Sequence, residues 1–366
     1  MRTEAAISRA GAAAPVVEAV DLEAPRAGEV LIRMVASGIC HTDLGVHAGR
    51  GPGTPLPAVL GHEGAGIVVE IGPGVTQLAP GDPVVLSGSS CGVCPSCRRN
   101  FPSYCRESMP RNFGGQRPDG SSALSQGGVR LGGHFFGQSS FARHCVAAER
   151  TAVKVPADLP LEVLAPLGCG VITGVGAVLI SLGLRVGQSI AVFGVGGVGL
   201  SAVMAARLAG AREIIAIDRI ASRLRLAREL GATQTLDATA PDVAQQIIEI
   251  THGGADRSLN TTRAPAVFSC AMQCLGMQGV AGYVAAPAGD WQPAMFPMLA
   301  GGRRLQGILG GDAAPQTFIP MLIDYYRQGR LPFERLLRFY PFEDIGAAFD
   351  DMEHGEVIKP VLRMSA

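Results

Sequence analysis

The sequence has no excess of charge of either sign: 31 Lys and Arg stand against 31 Asp and Glu, and charged residues make up only 17% of 366 positions. That balance leaves no electrostatic footprint for nucleic acid or an anionic membrane surface. Long apolar runs are also missing, because Gly, Ser or Arg interrupts each one before it reaches the roughly 20 residues of a membrane span. The N-terminal Met1-Arg2-Thr3-Glu4 lacks the apolar stretch of a secretory signal, so the expected location is cytoplasmic. Gly (49) and Pro (25) are frequent but follow no short repeat, which excludes collagen-like and low-complexity chains. Aromatics are scarce at 5%, with Trp291 the single Trp. What is present is 47% hydrophobic residues, enough for a large core and too many for a disordered chain. At roughly 100–200 residues per domain, the length implies two domains.

The first third of the chain reads as short strands between Gly/Pro turns, at 30–35, 66–71 and, after Pro80-Gly81-Asp82-Pro83, at 84–86. Residues 106–133 are polar and Gly-rich, and too long for an ordinary connection; such loops are usually functional or mobile. Near residue 170 the texture changes. The continuous apolar runs at 190–193 and 214–217 suit buried parallel strands, and each precedes a helical pattern, the first small-residue and ending at Leu208, the second over 222–230. This alternation predicts an open parallel sheet. Phe, Tyr and Pro return after about 310, and 357–364 reads as a last strand. The expected architecture is therefore α/β, with a doubly wound cofactor domain over 171–308 inserted into a β-rich domain formed by 1–170 and 309–366.

Gly194-Val195-Gly196-Gly197-Val198-Gly199 sits directly after one predicted strand and opens a helix. In this pattern the first Gly permits the tight turn, the second lets a pyrophosphate approach the backbone, and the third lets helix and strand pack closely. The phosphates then meet a helix N-terminus, which favours anions. Asp218 closes the second strand, where a carboxylate would accept the adenosine ribose hydroxyls and repel a 2′-phosphate. NAD is thus favoured over NADP, although Arg219 follows immediately and softens that repulsion.

Four of the nine Cys crowd together as Cys91, Cys94, Cys97 and Cys105. Four thiolates on one short excursion can close a tetrahedral zinc shell with no open position, a structural site. Disulfides and an iron–sulfur cluster use overlapping spacings; a reducing compartment argues against the first, and the lack of an evident redox partner against the second. A second, dispersed set is Cys40-His41-Thr42-Asp43, Gly61-His62-Glu63-Gly64 and Gly168-Cys169-Gly170. Each alone is unconvincing, but two thiolates and one imidazole would leave a fourth position open, as catalytic zinc requires. Cys145, Cys270 and Cys274 read as small core hydrophobes.

Taken together and in this order, G-I-C-H-T-D, G-H-E-G-A-G, the four-Cys loop, L-G-C-G-V-I-T-G and G-V-G-G-V-G resemble the zinc-dependent medium-chain alcohol dehydrogenases, across nearly the whole chain. The segments at 112–114, 134–141, 318–320 and 358–362 are most similar to the aryl-alcohol (benzyl alcohol) and geraniol-type branches. The resemblance implies a GroES-like catalytic domain, a Rossmann NAD-binding domain, and two zinc ions per subunit. It implies Cys40, His62 and Cys169 as ligands of the catalytic zinc, with Glu63 an adjacent or transient ligand and Asp43 orienting the His62 imidazole. Thr42 would contact the substrate hydroxyl and accept its proton. His41 and Lys359 would reach the cofactor pyrophosphate, Arg223 the adenosine ribose, and Thr173 and Val198 the nicotinamide. Many family members carry a His three residues after the Thr of C-x-T-D to pass the proton outward. Here that position is Gly45, so His47 or water is expected to serve.

The implied activity is reversible oxidation of primary aromatic or allylic alcohols to aldehydes, with hydride passing to NAD+. Phe135 and Phe136 are expected to line the substrate pocket, since two aromatic faces suit a flat ring or conjugated alkene. The alternatives are a zinc dehydrogenase for formaldehyde adducts or polyols, and a non-catalytic NAD-binding protein of the same fold. A zinc-free quinone reductase would have no use for the open ligand set. The partners implied are a small alcohol or aldehyde and further copies of the chain, as homodimer or homotetramer paired edge to edge, with 279–286 the expected pairing region.

Overall fold

The computed structural model describes residues 1–51 and 53–364. The chain divides into two compact units: one of residues 1–169, 314–321 and 334–366, the other of residues 170–313 and 322–333. The long helix Pro315–Arg327 is shared, its first half grouping with one unit and its second half with the other. The chain passes from the second unit to the first at 313/314, close to the texture change near 310, crosses back within this helix at 321/322 and returns at 333/334.

In the first unit, two β-sheets share one apolar core. The five-stranded antiparallel sheet runs Ala58–Val59, Arg2–Ser8, Val16–Leu22, Leu124–Gln126, Val129–Arg130. The seven-stranded sheet centres on Glu29–Gly38, which pairs with Glu63–Ile71, His144–Ala148 and Lys359–Arg363. Burial in Arg2–Ser8 alternates at its start, as in a strand with one face to the core, and becomes continuous from Ala5 to Ser8. The core between the sheets includes the fully buried Ile7, Ile32, Leu60, Leu86, Phe135 and Phe141.

The stretch 106–133, which reads as a loop, carries the helix Ser108–Phe113 and the strands Leu124–Gln126 and Val129–Arg130. Long-range polar bonds hold it. Asn112 accepts from the Ser89 amide (2.8 Å) and donates to the Ser89 carbonyl (3.0 Å). The buried Arg117 makes a two-pronged contact with Glu29, at 2.7 and 3.0 Å, and a third bond to Glu23 at 2.8 Å. The matched fork of a guanidinium on a carboxylate is the geometry that survives burial.

The second unit is a six-stranded parallel sheet in the order Gln234–Asp237, Glu213–Asp218, Ser189–Phe193, Ala255–Asn260, Leu275–Tyr283, Arg304–Gly307. Ser189–Phe193 is buried throughout, as a strand covered on both faces must be. The order reverses at Ser189–Phe193, the first strand of the sheet, and ligands in such folds bind outside the carboxyl ends of the strands at this switch point. Leu275–Tyr283 pairs on both sides. The expected pairing region at 279–286 therefore starts inside the sheet, whose edge strands are Gln234–Asp237 and Arg304–Gly307. No single helix among the described residues is long and apolar enough to cross a membrane.

Candidate active site

The turn after strand Glu29–Gly38 brings Cys40 to the start of the short helix His41–His47. His62 immediately precedes strand Glu63–Ile71, and Cys169 ends a tight turn before helix Gly170–Gly176. These three segments converge. One donor atom from each of Cys40, His62, Glu63 and Cys169 lies within 4.8 Å of the others. His62 and Glu63 are fully buried. Gly38 is required beneath them, because a Cβ there would collide with the Glu63 carboxylate.

Asp43 organises the cluster. Its Oδ2 accepts the Cys40 amide (2.9 Å), while Oδ1 accepts the Gly61 amide (3.1 Å) and bonds Nδ1 of His62 (3.0 Å). With Nδ1 committed to a carboxylate, the imidazole presents Nε2, which is buried with no hydrogen-bond partner of ordinary geometry. An orphaned, oriented imidazole nitrogen beside two sulfurs is the donor set that zinc takes. The sulfurs suit it too: a bond from Cys169 holds the Cys40 thiol well below its ordinary value, against burial, and Cys169 is correspondingly raised. Burial alone would depress the His62 imidazole, but Asp43 raises it well above its usual value. The Thr42 hydroxyl lies 3.7 Å from the Cys40 sulfur.

Lys359 is placed otherwise than expected. Its ammonium is buried, donating to Glu63 Oε1 (2.8 Å) and the Ile39 carbonyl (2.9 Å), so it neutralises Glu63 and is not presented to a phosphate. Burial pushes the Glu63 carboxyl up to about 7 despite the ammonium beside it. His47 likewise turns elsewhere. Its Nε2 bonds the Ala12 carbonyl (3.1 Å) and its ring meets Phe349 edge-on, with centroids 5.7 Å apart. An imidazole engaged that way is packed as a core group and is not offered as a proton carrier.

Phe135 and Phe136 separate in role. Phe135 has no exposed surface and meets His62 edge-on at 5.6 Å, so it is a core residue and not a pocket wall. Phe136 is half-buried and stacks on His62, and Phe113 meets its ring edge-on at 5.0 Å. Phe113 was not singled out from the sequence. Its signal was the Asn112-Phe113-Gly114 resemblance, but only the fold brings it to Phe136.

The four-Cys excursion closes on itself. Cys91, Cys94, Cys97 and Cys105 have sulfurs within 4.8 Å of one another. The Cys94–Cys97 and Cys91–Cys97 separations of 3.5 and 4.0 Å are far from a covalent bond of about 2.05 Å. Backbone amides point at the sulfurs: Cys94 to Cys91 (3.3 Å), Cys91 to Cys105 (3.2 Å) and Glu107 to Cys105 (3.4 Å). Amides from Arg106 and Cys97 bring the Cys94 thiol down to about 6, whereas burial lifts Cys105 to about 11. Amide donors around converging sulfurs stabilise the thiolate form that zinc binds.

In the parallel sheet, Gly194 has φ +81°, and a Cβ there would meet Thr261 and Thr262 at 2.7 Å. A Cβ on Gly199 would collide with the Gly194 carbonyl, so the helix Gly197–Leu208 packs on its own entry loop. Gly196 differs: the nearest atom is the Arg223 guanidinium at 4.0 Å, which leaves the backbone open to a ligand. Asp218 is buried, accepting the Val195 amide (2.8 Å) on one oxygen and the Ile220 amide (2.9 Å) on the other. A cavity of about 530 Å³ opens between helices Val243–Ile250 and Pro265–Gln273, lined by Phe193 and Ile217 of the sheet. His41 is exposed, and Thr173 and Val198 are half-buried.

Residues 26–157 match the alcohol dehydrogenase GroES-like domain and residues 197–325 the zinc-binding dehydrogenase domain. The geraniol dehydrogenase of Castellaniella defragrans is 48% identical over 363 residues, 98% of this chain and 97% of that one. An alcohol dehydrogenase zinc-binding domain protein from Burkholderia ambifaria superposes with a TM-score of 0.97 at 49% identity, covering 100% of both chains. The benzyl alcohol dehydrogenase of Acinetobacter calcoaceticus superposes with a TM-score of 0.96 at 41% identity, also over 100% of both. The chain belongs to the zinc-type medium-chain alcohol dehydrogenases, with a GroES-like and a Rossmann-like part. As a zinc-dependent alcohol dehydrogenase it is an oxidoreductase.

Proposed function

We propose that this enzyme reversibly oxidises primary aromatic and allylic alcohols to aldehydes, with NAD+ as hydride acceptor. The observation that carries the reading is the aromatic wall at the donor cluster, Phe136 stacked on His62 with Phe113 at its edge. A flat, conjugated substrate gains most from such a wall. The likeness to proteins named for geraniol and benzyl alcohol supports the same class.

Cys40, His62 and Cys169 would hold the catalytic zinc, with Glu63 beside it, and Cys91, Cys94, Cys97 and Cys105 a second, structural zinc. Catalytic zinc supplies Lewis acidity, which polarises a hydroxyl and lowers its pKa. The chain's own residues do the rest. Asp43 fixes the His62 tautomer and ring plane, and Lys359 holds the Glu63 charge in place. Thr42 accepts the substrate hydroxyl proton and passes it to solvent, since Gly45 offers no imidazole and His47 is engaged with Ala12. The loop from Gly194 to Gly199 would cradle the pyrophosphate, with His41 expected at the phosphates, Asp218 and Arg223 at the adenosine ribose, and Thr173 and Val198 against the nicotinamide. The Phe193–Ile217 cavity would take the adenine. The carboxylate of Asp218 favours NAD over NADP.

A second copy of the chain is part of the proposal, as homodimer or homotetramer. The helix Met295–Gly301 exposes Met295, Phe296 and Leu299 at 71, 76 and 81%, a clustered apolar surface of the kind that marks contacts between proteins. Nine free cysteines suit a reducing cytoplasm.

The test is NAD and NADP reduction with benzyl alcohol, geraniol, sorbitol and S-hydroxymethylglutathione, with zinc measured on the same sample. The reading expects benzyl alcohol and geraniol to lead with NAD, at two zinc ions per chain. Preference for sorbitol or the glutathione adduct overturns the substrate class, and no turnover of any of them revives the non-catalytic alternative.

A further inference from the structure

Residues 134–139 are strained. His134, Phe136 and Ser139 have φ of +56°, +51° and +54°, a region that non-glycine residues seldom occupy and that persists only where surrounding bonds enforce it. Those bonds divide: Ser139 holds the segment to its own turn and to Val59, and Gln138 reaches the donor cluster. Ser139 Oγ accepts the Phe135 amide (2.9 Å) and donates to the Val59 carbonyl (2.7 Å). Gln138, only 1% exposed, uses its whole carboxamide. Oε1 accepts the Gly64 amide (3.2 Å), while Nε2 donates to the His62 carbonyl (3.1 Å) and the Ser87 carbonyl (3.2 Å). Two carbonyls and one amide admit a single orientation of the group. Ser87 then donates its hydroxyl to the Gly168 carbonyl (2.8 Å), one residue before Cys169.

We infer that Gln138 is a positioning residue for the catalytic zinc, bolting the His62 segment to the Cys169 segment through Ser87. The inference rests on the proposed ligand set Cys40, His62 and Cys169. Asp43 ties Cys40 to His62 through the Cys40 amide, the Gly61 amide and the imidazole, and reaches nothing beyond. A hydrogen-bonded route between the backbones of the His62 and Cys169 segments runs through Gln138 and Ser87. A carboxamide is the side chain for this task, since it donates twice and accepts at once while carrying no charge that would compete for the metal. The strain at Phe136 and Ser139 follows, because the backbone must curl to aim both Gln138 at the His62 carbonyl and the Phe136 ring at its imidazole.

The test is zinc release to a chelator from the zinc-loaded enzyme, comparing wild type, Gln138→Leu and Ser139→Ala, with denaturation midpoints for each. Gln138→Leu keeps the volume and breaks all three bonds. It is expected to lose one zinc about ten times faster or more, the scale seen when groups supporting metal ligands are removed, while the other zinc leaves at the wild-type rate. Ser139→Ala breaks two buried bonds of the same segment and should lower the denaturation midpoint with zinc release unchanged. Cobalt substituted for zinc gives a second readout, in which Gln138→Leu should shift the thiolate-to-metal absorption. Equal release from wild type and Gln138→Leu overturns the inference, as does equally fast release from Ser139→Ala. If wild type carries one zinc rather than two, the ligand assignment itself falls and this inference with it. Should Gln138→Leu not fold, Ser87→Ala removes only the far end of the link, and must speed release of the same zinc; unchanged release overturns the proposal.

Discussion

Phe136 lies almost flat on the imidazole of His62, with ring centroids 4.4 Å apart and planes 21° from parallel. Phe135, its neighbour in sequence, is sealed in the core. The two should therefore respond differently to truncation. Phe136→Ala is expected to raise KM for benzyl alcohol and geraniol roughly tenfold, the worth of one good aromatic contact, and to change KM for ethanol little. Phe135→Ala should cost about 3–5 kcal/mol of stability through the cavity it leaves, with the ratio of benzyl alcohol to ethanol activity kept. Steady-state kinetics and urea denaturation on both variants decide it; a Phe136→Ala enzyme with unchanged KM for benzyl alcohol would remove the aromatic wall from the substrate argument.

The two sulfur-rich clusters should come apart under mutation. Cys40→Ser should lower the metal content from two zinc ions per chain to one and abolish nearly all turnover, while NAD still binds. Asp43→Asn, which weakens the hold on the His62 ring, should weaken that zinc by about 10–100-fold. Cys97→Ser should instead lower the thermal midpoint first, since a closed four-thiolate site contributes folding energy directly. Metal analysis paired with thermal unfolding checks all three, and a Cys97→Ser protein as stable as wild type would argue against a structural ion there.

Cofactor choice is expected to turn on Asp218. Its carboxylate is held by the Val195 and Ile220 amides, so the charge cannot swing away from an incoming 2′-phosphate. Asp218→Asn removes the charge and should reduce the NAD-over-NADP ratio of kcat/KM by at least about tenfold, or roughly 1.4 kcal/mol. Kinetics with both cofactors at fixed alcohol measure it, and an unchanged ratio would move the discrimination to Arg219 or Arg223.

What could be read from the sequence was local. The apolar runs at 190–193 and 214–217 announce buried parallel strands because covering both faces removes the polar alternation, and those strands are Ser189–Phe193 and Glu213–Asp218. The class of fold and the family followed from motifs whose order along the chain is fixed. Partnerships across long separations were not legible. Lys359 meets Glu63 and the Ile39 carbonyl only once the last strand pairs beside Glu29–Gly38. Arg117 meets Glu29 across 88 residues, and Gln138 meets Ser87 across 51. No periodicity records such pairs, which is why 106–133 reads as loop and why Gln138 passes unnoticed inside a motif noted for its phenylalanines. The contrast between Phe135 and Phe136 was hidden for a related reason: a left-handed residue at Phe136 breaks the local geometry from which facing is inferred.

His134 supplies a pH test that the sequence did not suggest. The ring is 7% exposed and its Nε2 accepts the Ala123 amide at 3.2 Å, a role open only to neutral imidazole. Burial, reinforced by the Arg117 guanidinium, pushes its pKa down to about 4. The unfolded chain would bind this proton below about pH 6.5, whereas the folded chain refuses it until about pH 4. Stability from this group is thus complete above pH 6.5 and declines as pH falls, by up to roughly 3 kcal/mol near pH 4. Glu23 and Glu29, held low on balance by Arg117 although burial opposes it, act in the same direction, but only once the pH approaches the ordinary carboxylate range. Between pH 6.5 and 5 the slope should therefore belong to His134 among these three. His134→Asn keeps an acceptor for Ala123 and tolerates the left-handed backbone, and cannot titrate. Urea denaturation of wild type and His134→Asn across that window should show the wild type losing stability faster by about 1–2 kcal/mol; parallel curves would mean that His134 takes up its proton without cost.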